Sequence, residues 1–329
     1  MNTPNLFTYA TSELSQDAFL CWLMSWSDDS LSDIDEQIHV CARKFIQLAF
    51  NKASLEVPQE IRNVTVRKQD GNIDVLCVIN EEYAIVIEDK VETKQHSGQL
   101  SRYLTEVLAK GFPMGNIIPL YYKTGDQSNY DQVISSGYYP IERHEIIDVL
   151  NSYTGLNNIL CDYRDFLSYK DSLVSAFIDK PASEWDYHCW IGFFKLLKNR
   201  LADGDWDFVN NANGGFTGFW WHFSYGDDCD RYIQLEEGRL CFKIAVDDTV
   251  DKRSVRNKWH DVIMSSADGI AENLRVRKPE RFGNGSYMTV CVASGDYRVL
   301  KEDNTVNFEE TIKSLREAER ILDRAINIV

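Results

Sequence analysis

The apolar positions in the stretch 15–26 (SQDAFLCWLMSW) fall at 19, 20, 22, 23, 24 and 26, a helical spacing with Ser12 or Ser15 as N-cap. A second amphipathic helical pattern runs over 35–52. Three short runs rich in β-branched residues follow, at 61–67, 73–79 and 83–88. Turn signals separate them at Asp70-Gly71 and at Asn80-Glu81-Glu82, so an antiparallel meander is expected. The period returns to helical over about 95–110 and stops at Gly111, and 117–122 (IIPLYY) reads as a buried strand. Helices over 143–151 and 158–178 complete this half, whose order is that of an α/β layered domain with one mixed sheet.

Periodicity breaks at Lys180-Pro181-Ala182-Ser183, which predicts a first domain over 1–180 and a second over 181–329. The second opens with an aromatic-rich helix at 184–201 and a loop at 203–215. Strand-like runs at 216–225, 231–236, 239–246 and 286–293 and helices at 253–273 and 308–327 make it α+β with an antiparallel sheet. No repeat of fixed period is visible.

Composition narrows the class. Lys and Arg total 35 against 51 Asp and Glu, a net charge of −16, which argues against a protein that coats nucleic acid by charge alone. It leaves room for one that uses a local patch and a metal. A hydrophobic fraction of 44% with 26% charged residues is that of an ordinary globular chain. The eight cysteines could form four disulfides in a secreted protein, but no CxxC occurs, and Cys21, Cys41, Cys77 and Cys241 sit in apolar-periodic stretches as small hydrophobes. The beginning of the chain lacks a basic region followed by an apolar run, and no stretch approaches 18 apolar residues. A reduced, cytoplasmic protein without membrane contact is expected.

The chemistry concentrates between Asn72 and Lys90. Asp74 opens one strand, and Glu88, Asp89 and Lys90 close the next. A hairpin centred on residue 81 sets Asp74 opposite Glu88, while the strand period puts Glu88 and Lys90 on one face and Asp89 on the other. Two carboxylates and a lysine at a sheet end are costly unless paired, and they suit a hard divalent cation such as Mg²⁺, which takes oxygen ligands. Taken alone, an acid-x-lysine triplet at a strand end reads as a solvated ion-pair edge. Three further features add weight. Gln99 and Tyr103 are four apart on one helical face, His96 lies one turn earlier, and Glu13 ahead of the first helix is a third acid.

The pattern Asp74…Glu88-x-Lys90…Gln99-x-x-x-Tyr103 with an upstream acid resembles the PD-(D/E)XK nuclease superfamily, and its QxxxY element resembles the RecB-type branch. The opening FTYATSELSQDAFLCWL and the stretch 72–103 resemble a bacterial family of mostly uncharacterised members; the motifs cover about 7–125. Two departures stand out: Ile73 replaces the motif's Pro, and Glu13 precedes its helix. The resemblance implies a restriction-endonuclease-like core, a four-stranded mixed sheet flanked by helices in the order αβββαβ, followed by an α+β accessory domain for sensing or substrate positioning. It implies Asp74 and Glu88 as ligands of Mg²⁺ or Mn²⁺, with the Asp89 carbonyl as a further ligand and Glu13 completing the acidic site. Lys90 would orient the attacking water, and Gln99 and Tyr103 would support the lysine or position the substrate backbone. His96 is equally a helix-start residue or a phosphate contact. The activity implied is metal-dependent hydrolysis of phosphodiester bonds, of DNA ahead of RNA, with a role in bacterial defence or mobile-element conflict.

Other candidates carry less. His144-Glu145 lacks the second histidine of a zinc-protease helix, Gly283-Asn284-Gly285 reads as a turn, and no GxxxxGK[ST] occurs. The aromatics of 216–225 read as a half-buried strand ahead of a base-stacking surface. Lys252, Arg253, Arg256, Lys258, Arg275, Arg277, Lys278 and Arg281 form the basic stretch of this acidic chain: a local contact for DNA or, equally, a solubilising surface. Two other readings stay open, a catalytically silent binding or regulatory protein and a small-nucleotide phosphohydrolase, as does a homo-oligomer or a protein partner.

Overall fold

In the computed structural model, which describes residues 4–94, 98–211, 214–267, 269 and 274–328, the chain forms two compact units, Met1–Ser172 and Leu173–Val329. In the first unit, helix α1 (Glu13–Ser25) begins where the Ser12 side chain accepts the Ser15 amide, and α2 (Glu36–Lys52) where Asp35 accepts that of Ile38. Strands β1 (Val64–Asp70), β2 (Ile73–Ile79) and β3 (Tyr83–Lys90) form the antiparallel meander. The three-residue β2–β3 connection, Asn80 to Glu82, holds Asn80 and Glu81 at φ of 53° and 57°, the left-handed region that a tight hairpin turn uses. The first strand starts three residues later than its apolar run. The Ile61 amide is held by Asp29, and those of Arg62 and Asn63 by the Asn80 side chain, which occupies donors the ladder would use.

After α3 (Gln99–Ala109), strand β4 (Ile117–Lys123) lies parallel to β3. A short α4 (Asp131–Ser135) leads to β5 (Tyr139–Glu142), parallel to β4, and α5 (Arg143–Asn151) and α6 (Asn158–Ser175) follow. The expected four-stranded sheet is therefore corrected to five strands in the order β1-β2-β3-β4-β5. The added strand has only four residues and includes Pro140, which cannot donate to a ladder and is tolerated at an edge. The sheet is covered on both faces: Ile85, Ile87, Ile118 and Leu120 pack with the apolar sides of α1 and α2, while Val86 and Ile117 pack with Tyr103 and Val107 of α3. Each such buried aliphatic contributes about 1.5–3 kcal/mol, which fixes β3 and β4 and hence the polar residues at their ends.

The second unit contains α7 (Tyr187–Lys198), β6 (Asp205–Val209), β7 (Phe216–Ser224), β8 (Asp230–Glu236), β9 (Arg239–Ala245), α8 (Lys252–Ser266), β10 (Val276–Arg277), β11 (Tyr287–Ala293) and α9 (Phe308–Ile328). Its six strands pair antiparallel in the order β10-β11-β9-β8-β7-β6. One face, with Phe219, Trp221, Ile233, Leu235 and Phe242, packs on Phe193, Trp259, Ile263 and Leu315 of the helices. Strand β6 lies inside the expected loop 203–215, and α8 ends at Ser266 rather than 273; residues 268 and 270–273 lie outside the described residues. All eight cysteines are free thiols. No helix among the described residues is long and apolar enough to cross a membrane.

Candidate active site

The register Val75↔Ile87 sets Asp74 opposite Glu88 at the next position, where β2 and β3 meet the C-terminal end of β4. From there the strand alternation sorts the polar groups. Glu88 and Lys90 point to the α3 side and Asp89 to the α1 side. The Lys90 ammonium is 2.5 Å from Glu88 Oε1 and donates to the Asp89 carbonyl at 2.9 Å, and Asp74 Oδ2 accepts the Asp89 amide at 3.0 Å. Glu88 and Asp89 are fully buried and Lys90 nearly so.

Among the described residues neither Glu88 oxygen has an aligned hydrogen bond; Lys90 meets Oε1 as an ion pair, and Oε2 meets no donor. Burial, and next to it the Asp74 charge, pushes the Glu88 carboxyl up to about 7 despite Lys90. Burial opposes the charge on Lys90, but Glu88, Glu13 and Asp74 outweigh it and raise the ammonium above its ordinary value. The lysine therefore holds its proton at neutral pH.

Two expectations change here. Glu13 does not precede the first helix: it is the first residue of α1, held there by the Ser12 cap. Nor is it free: its Oε1 accepts the Val91 amide at 3.3 Å and the Thr93 hydroxyl at 2.9 Å, and Oε2 lies 3.8 Å from Lys90. The helix expected from 95 begins at Gln99, and His96 lies outside the described residues. Gln99 donates to the Tyr103 hydroxyl at 2.6 Å. Tyr103 is buried, which raises its pKa. The Gln99 hydrogen bond opposes that rise, and the Glu88 and Asp74 charges add to it, so this pair borders the carboxylates.

The sequence reading missed a second polar layer. Gln16 and Asp17 of α1 are buried against the α1 face of the sheet. Gln16 donates to Asp89 Oδ1, and its carbonyl accepts from Thr124 at 2.8 Å and Tyr163 at 3.1 Å. Neither Asp17 Oδ1 nor Asp89 Oδ2 meets a donor among the described residues. Burial first, and then the Asp17 charge, holds Asp89 well above the ordinary carboxylate range, while burial and Asp74 push Asp17 up to about 6. A proton shared between the two carboxyls lets both stay buried. Lys123, paired in register with Lys90, is also buried; it donates to the Thr93 carbonyl at 2.6 Å, and burial brings its amine down to about 8. The Tyr138 hydroxyl is buried without a partner among the described residues, and its pKa is raised by burial and then by Glu88. The available signal was polar residues at 13, 16 and 17 on one side of an otherwise apolar helix.

The donor set of carboxylate and carbonyl oxygens suits a hard cation, and Glu88 Oε2, which meets no donor among the described residues, is the feature such an ion would satisfy. No group of three or more His, Cys, Asp or Glu residues placed to hold a metal occurs among the described residues. The fit is thus to an open two-carboxylate site completed by water and substrate oxygens, the mode usual for Mg²⁺.

The basic stretch of the second unit is partly engaged. Lys252 binds Asp248 at 2.6 Å, Lys258 binds Asp228 at 3.0 Å, and Arg256 donates to the Gly283 carbonyl and Asn284. Lys278 lies over the Phe282 ring, Arg277 and Arg281 line a cavity of about 490 Å³ with Arg239 and Glu280, and Arg253 and Arg275 are exposed.

Residues 4–185 match the model of a family in the PD-(D/E)XK nuclease superfamily. No curated protein and no solved structure matches the chain. With more than half of the 329 residues inside that match, the chain belongs to the PD-(D/E)XK nuclease superfamily.

Proposed function

We propose that the protein is a Mg²⁺- or Mn²⁺-dependent nuclease that hydrolyses phosphodiester bonds of DNA at the Asp74, Glu88 and Lys90 site. The observation that carries this reading is the buried Glu88 carboxylate, left without aligned donors among the described residues, beside Asp74 and Lys90. A carboxylate is not kept in that condition for stability, because an unsatisfied buried charge costs free energy. Asp74 and Glu88, with the Asp89 carbonyl and Glu13 at the margin, would hold the cation. Bound there, the metal supplies a Lewis acid for phosphoryl oxygens and lowers the pKa of water.

The chain's own residues do the rest. Lys90 keeps a proton on Nζ and offers positive charge to the phosphate and orientation to the attacking water. Its contact with the Asp89 carbonyl fixes the ammonium, and Gln16 fixes Asp89 from behind. Gln99 and Tyr103 line the approach and position the substrate backbone, which supports the RecB-like reading. The exposed arginines at 253, 275, 277 and 281 are the part of the basic stretch best suited to the DNA backbone. Bacterial defence or conflict between mobile elements is a role that such an activity would serve.

The test is plasmid cleavage with Mg²⁺ or Mn²⁺, comparing wild type with Asp74→Ala and Lys90→Ala, each checked for native circular dichroism. Cleavage lost in both supports the site, and cleavage unchanged in both removes it. Nucleoside triphosphate hydrolysis without plasmid cleavage would transfer the site to small nucleotides. Calorimetry showing no metal binding, together with no cleavage, would make the protein a silent binding module.

A further inference from the structure

The face of the six-stranded sheet turned away from the helices carries a cavity of about 630 Å³, within the size range of small-molecule sites. Its walls are aromatic. Trp220 and Phe223 come from β7, Tyr225 follows that strand, and Tyr232 and Tyr287 come from β8 and β11. A bulge between Trp221 and Ser224 re-aims the strand, so that Phe219 and Trp221 enter the core while Trp220, Phe223 and Tyr225 line the cavity. Phe223 and Tyr232 lie 5.2 Å apart at 17°, and Phe223 and Tyr225 6.4 Å apart at 12°, a bank of nearly parallel rings. Tyr225 and Tyr287 are 76% and 72% exposed, a large aromatic surface to leave in water.

The charge around these rings is net negative, Asp230 and Glu236 against Lys243. Lys243 is the basic residue of the lining, and it is paired with Glu236 at 3.2 Å, which also takes the Gln234 amide. The Asp230 side chain, at the edge of the cavity, makes no hydrogen bond or ion pair among the described residues. It also borders a neighbouring cleft of about 340 Å³ lined by Asp227, Asp228, Asp247 and Asp248. The cations nearest this cleft are already engaged: Lys252 by Asp248, and Lys258 and Arg231 by Asp228. An acidic field repels phosphate and attracts cations, and ring faces carry negative charge that does the same at short range.

We infer that this cavity binds a small organic cation, an ammonium or guanidinium on an apolar or flat body, with the cation over the rings of Phe223, Tyr225 and Tyr232 and its charge met by Asp230. The same carboxylates disfavour the phosphates of nucleotides and nucleic-acid strands on this face. The site is independent of the nuclease reading, since it lies wholly within the second unit and its readout is binding.

The experiment is calorimetric titration of the full chain with agmatine, which carries a guanidinium and an ammonium, and with adenosine as a flat neutral comparator. Agmatine is expected to bind with a Kd of about 1 mM or tighter, and both Asp230→Asn and Tyr225→Ala to weaken it about tenfold. Both side chains are surface-accessible, and circular dichroism checks that each variant is folded. Absence of agmatine binding up to about 10 mM would overturn the inference. So would binding that neither variant changes, or adenosine binding as tightly as agmatine, which would make this a neutral-base site. A dimer that Tyr225→Ala dissociates, with no binding of either probe, would overturn it in favour of a self-association face.

Discussion

Glu88 and Glu319 are both buried glutamates, and they are treated in opposite ways. Glu319, on α9, accepts the Trp221 indole at 2.8 Å and two bonds from Arg316 at 2.8 and 2.9 Å. Glu88, at the end of β3, has an ion pair to Lys90 and no aligned donor. The second unit engages its buried arginines as well: Arg256 reaches the Gly283 carbonyl and Asn284, and Arg231 the Cys229 carbonyl, Asp228 and Ser224, although Arg231 Nε has no acceptor among the described residues. Among the described residues, the buried carboxylate oxygens without donors are all in the first unit, on Asp17, Glu88 and Asp89. The difference separates charge used to hold a fold from charge held ready for something outside the chain.

The strongest way to break that comparison is to remove the groups held ready. Lys90→Ala and Asp74→Ala are each expected to lower single-turnover DNA cleavage by about a thousandfold or more, equivalent to roughly 4 kcal/mol of lost transition-state stabilisation. Both variants should remain folded. Either one retaining wild-type cleavage would return this cluster to a structural role.

Glu88→Gln comes next and concerns stability. The Glu88 carboxyl titrates at about 7 in the folded chain against an ordinary 4.5. Between those values the folded chain keeps a proton that the unfolded chain has released, so stability falls as pH rises through the window. Above it the loss levels off at about 3 kcal/mol, at about 1.4 kcal/mol per unit, with the Lys90 attraction already included. The metal-free glutamine variant should therefore be about 3 kcal/mol more stable than wild type near pH 8, lack this slope, and be inactive. Urea midpoints that coincide at about pH 8 would show that Glu88 carries no such strain.

Glu319→Ala should move stability the other way. It leaves the Trp221 indole buried without an acceptor and Arg316 without its partner, a cost of about 2 kcal/mol. DNA cleavage per folded molecule should be unchanged. A gain in stability would mean that the two glutamates are strained alike, and the contrast between the units would disappear.

Much of the first unit was legible because its signals are local. Strand β2 spans Ile73–Ile79 as its apolar run does, between a Gly71 turn and an Asn80 turn whose positive φ these residues tolerate. The Asp74–Glu88 pairing followed from hairpin arithmetic, and strand alternation sent Asp89 to the opposite side from Glu88 and Lys90. Long-range contacts were not legible. Asp17 is buried because Asp89, 72 positions later, lies across from it, and nothing near Asp17 in the chain announces that. Strand β5 has four residues and a proline, and β6 (DWDFV) was hidden in a segment whose Asp, Asn and Gly content reads as loop. Glu13 was placed ahead of its helix because Ser12 and Ser15 both resemble caps, and only the hydrogen bond to the Ser15 amide selects Ser12.

The smallest effect tests where the reactive region ends. Gln99 and Tyr103 share a 2.6 Å hydrogen bond on one side of α3, and Glu88 and Asp74 are near enough to raise the Tyr103 hydroxyl. Gln99→Ala and Tyr103→Phe should each cost about tenfold in cleavage, roughly 1.4 kcal/mol, and the double variant little more, because each single change already breaks the same bond. Stability should shift by no more than about 0.5 kcal/mol for Gln99→Ala, whose position at the first turn of the helix is partly exposed. Multiplicative losses of about a hundredfold in the double variant would mean that the two side chains act separately on the substrate. Losses confined to melting temperature, with cleavage intact, would move the pair to the structural side, where Glu319 stands, and place the boundary of the reactive cluster at Lys90.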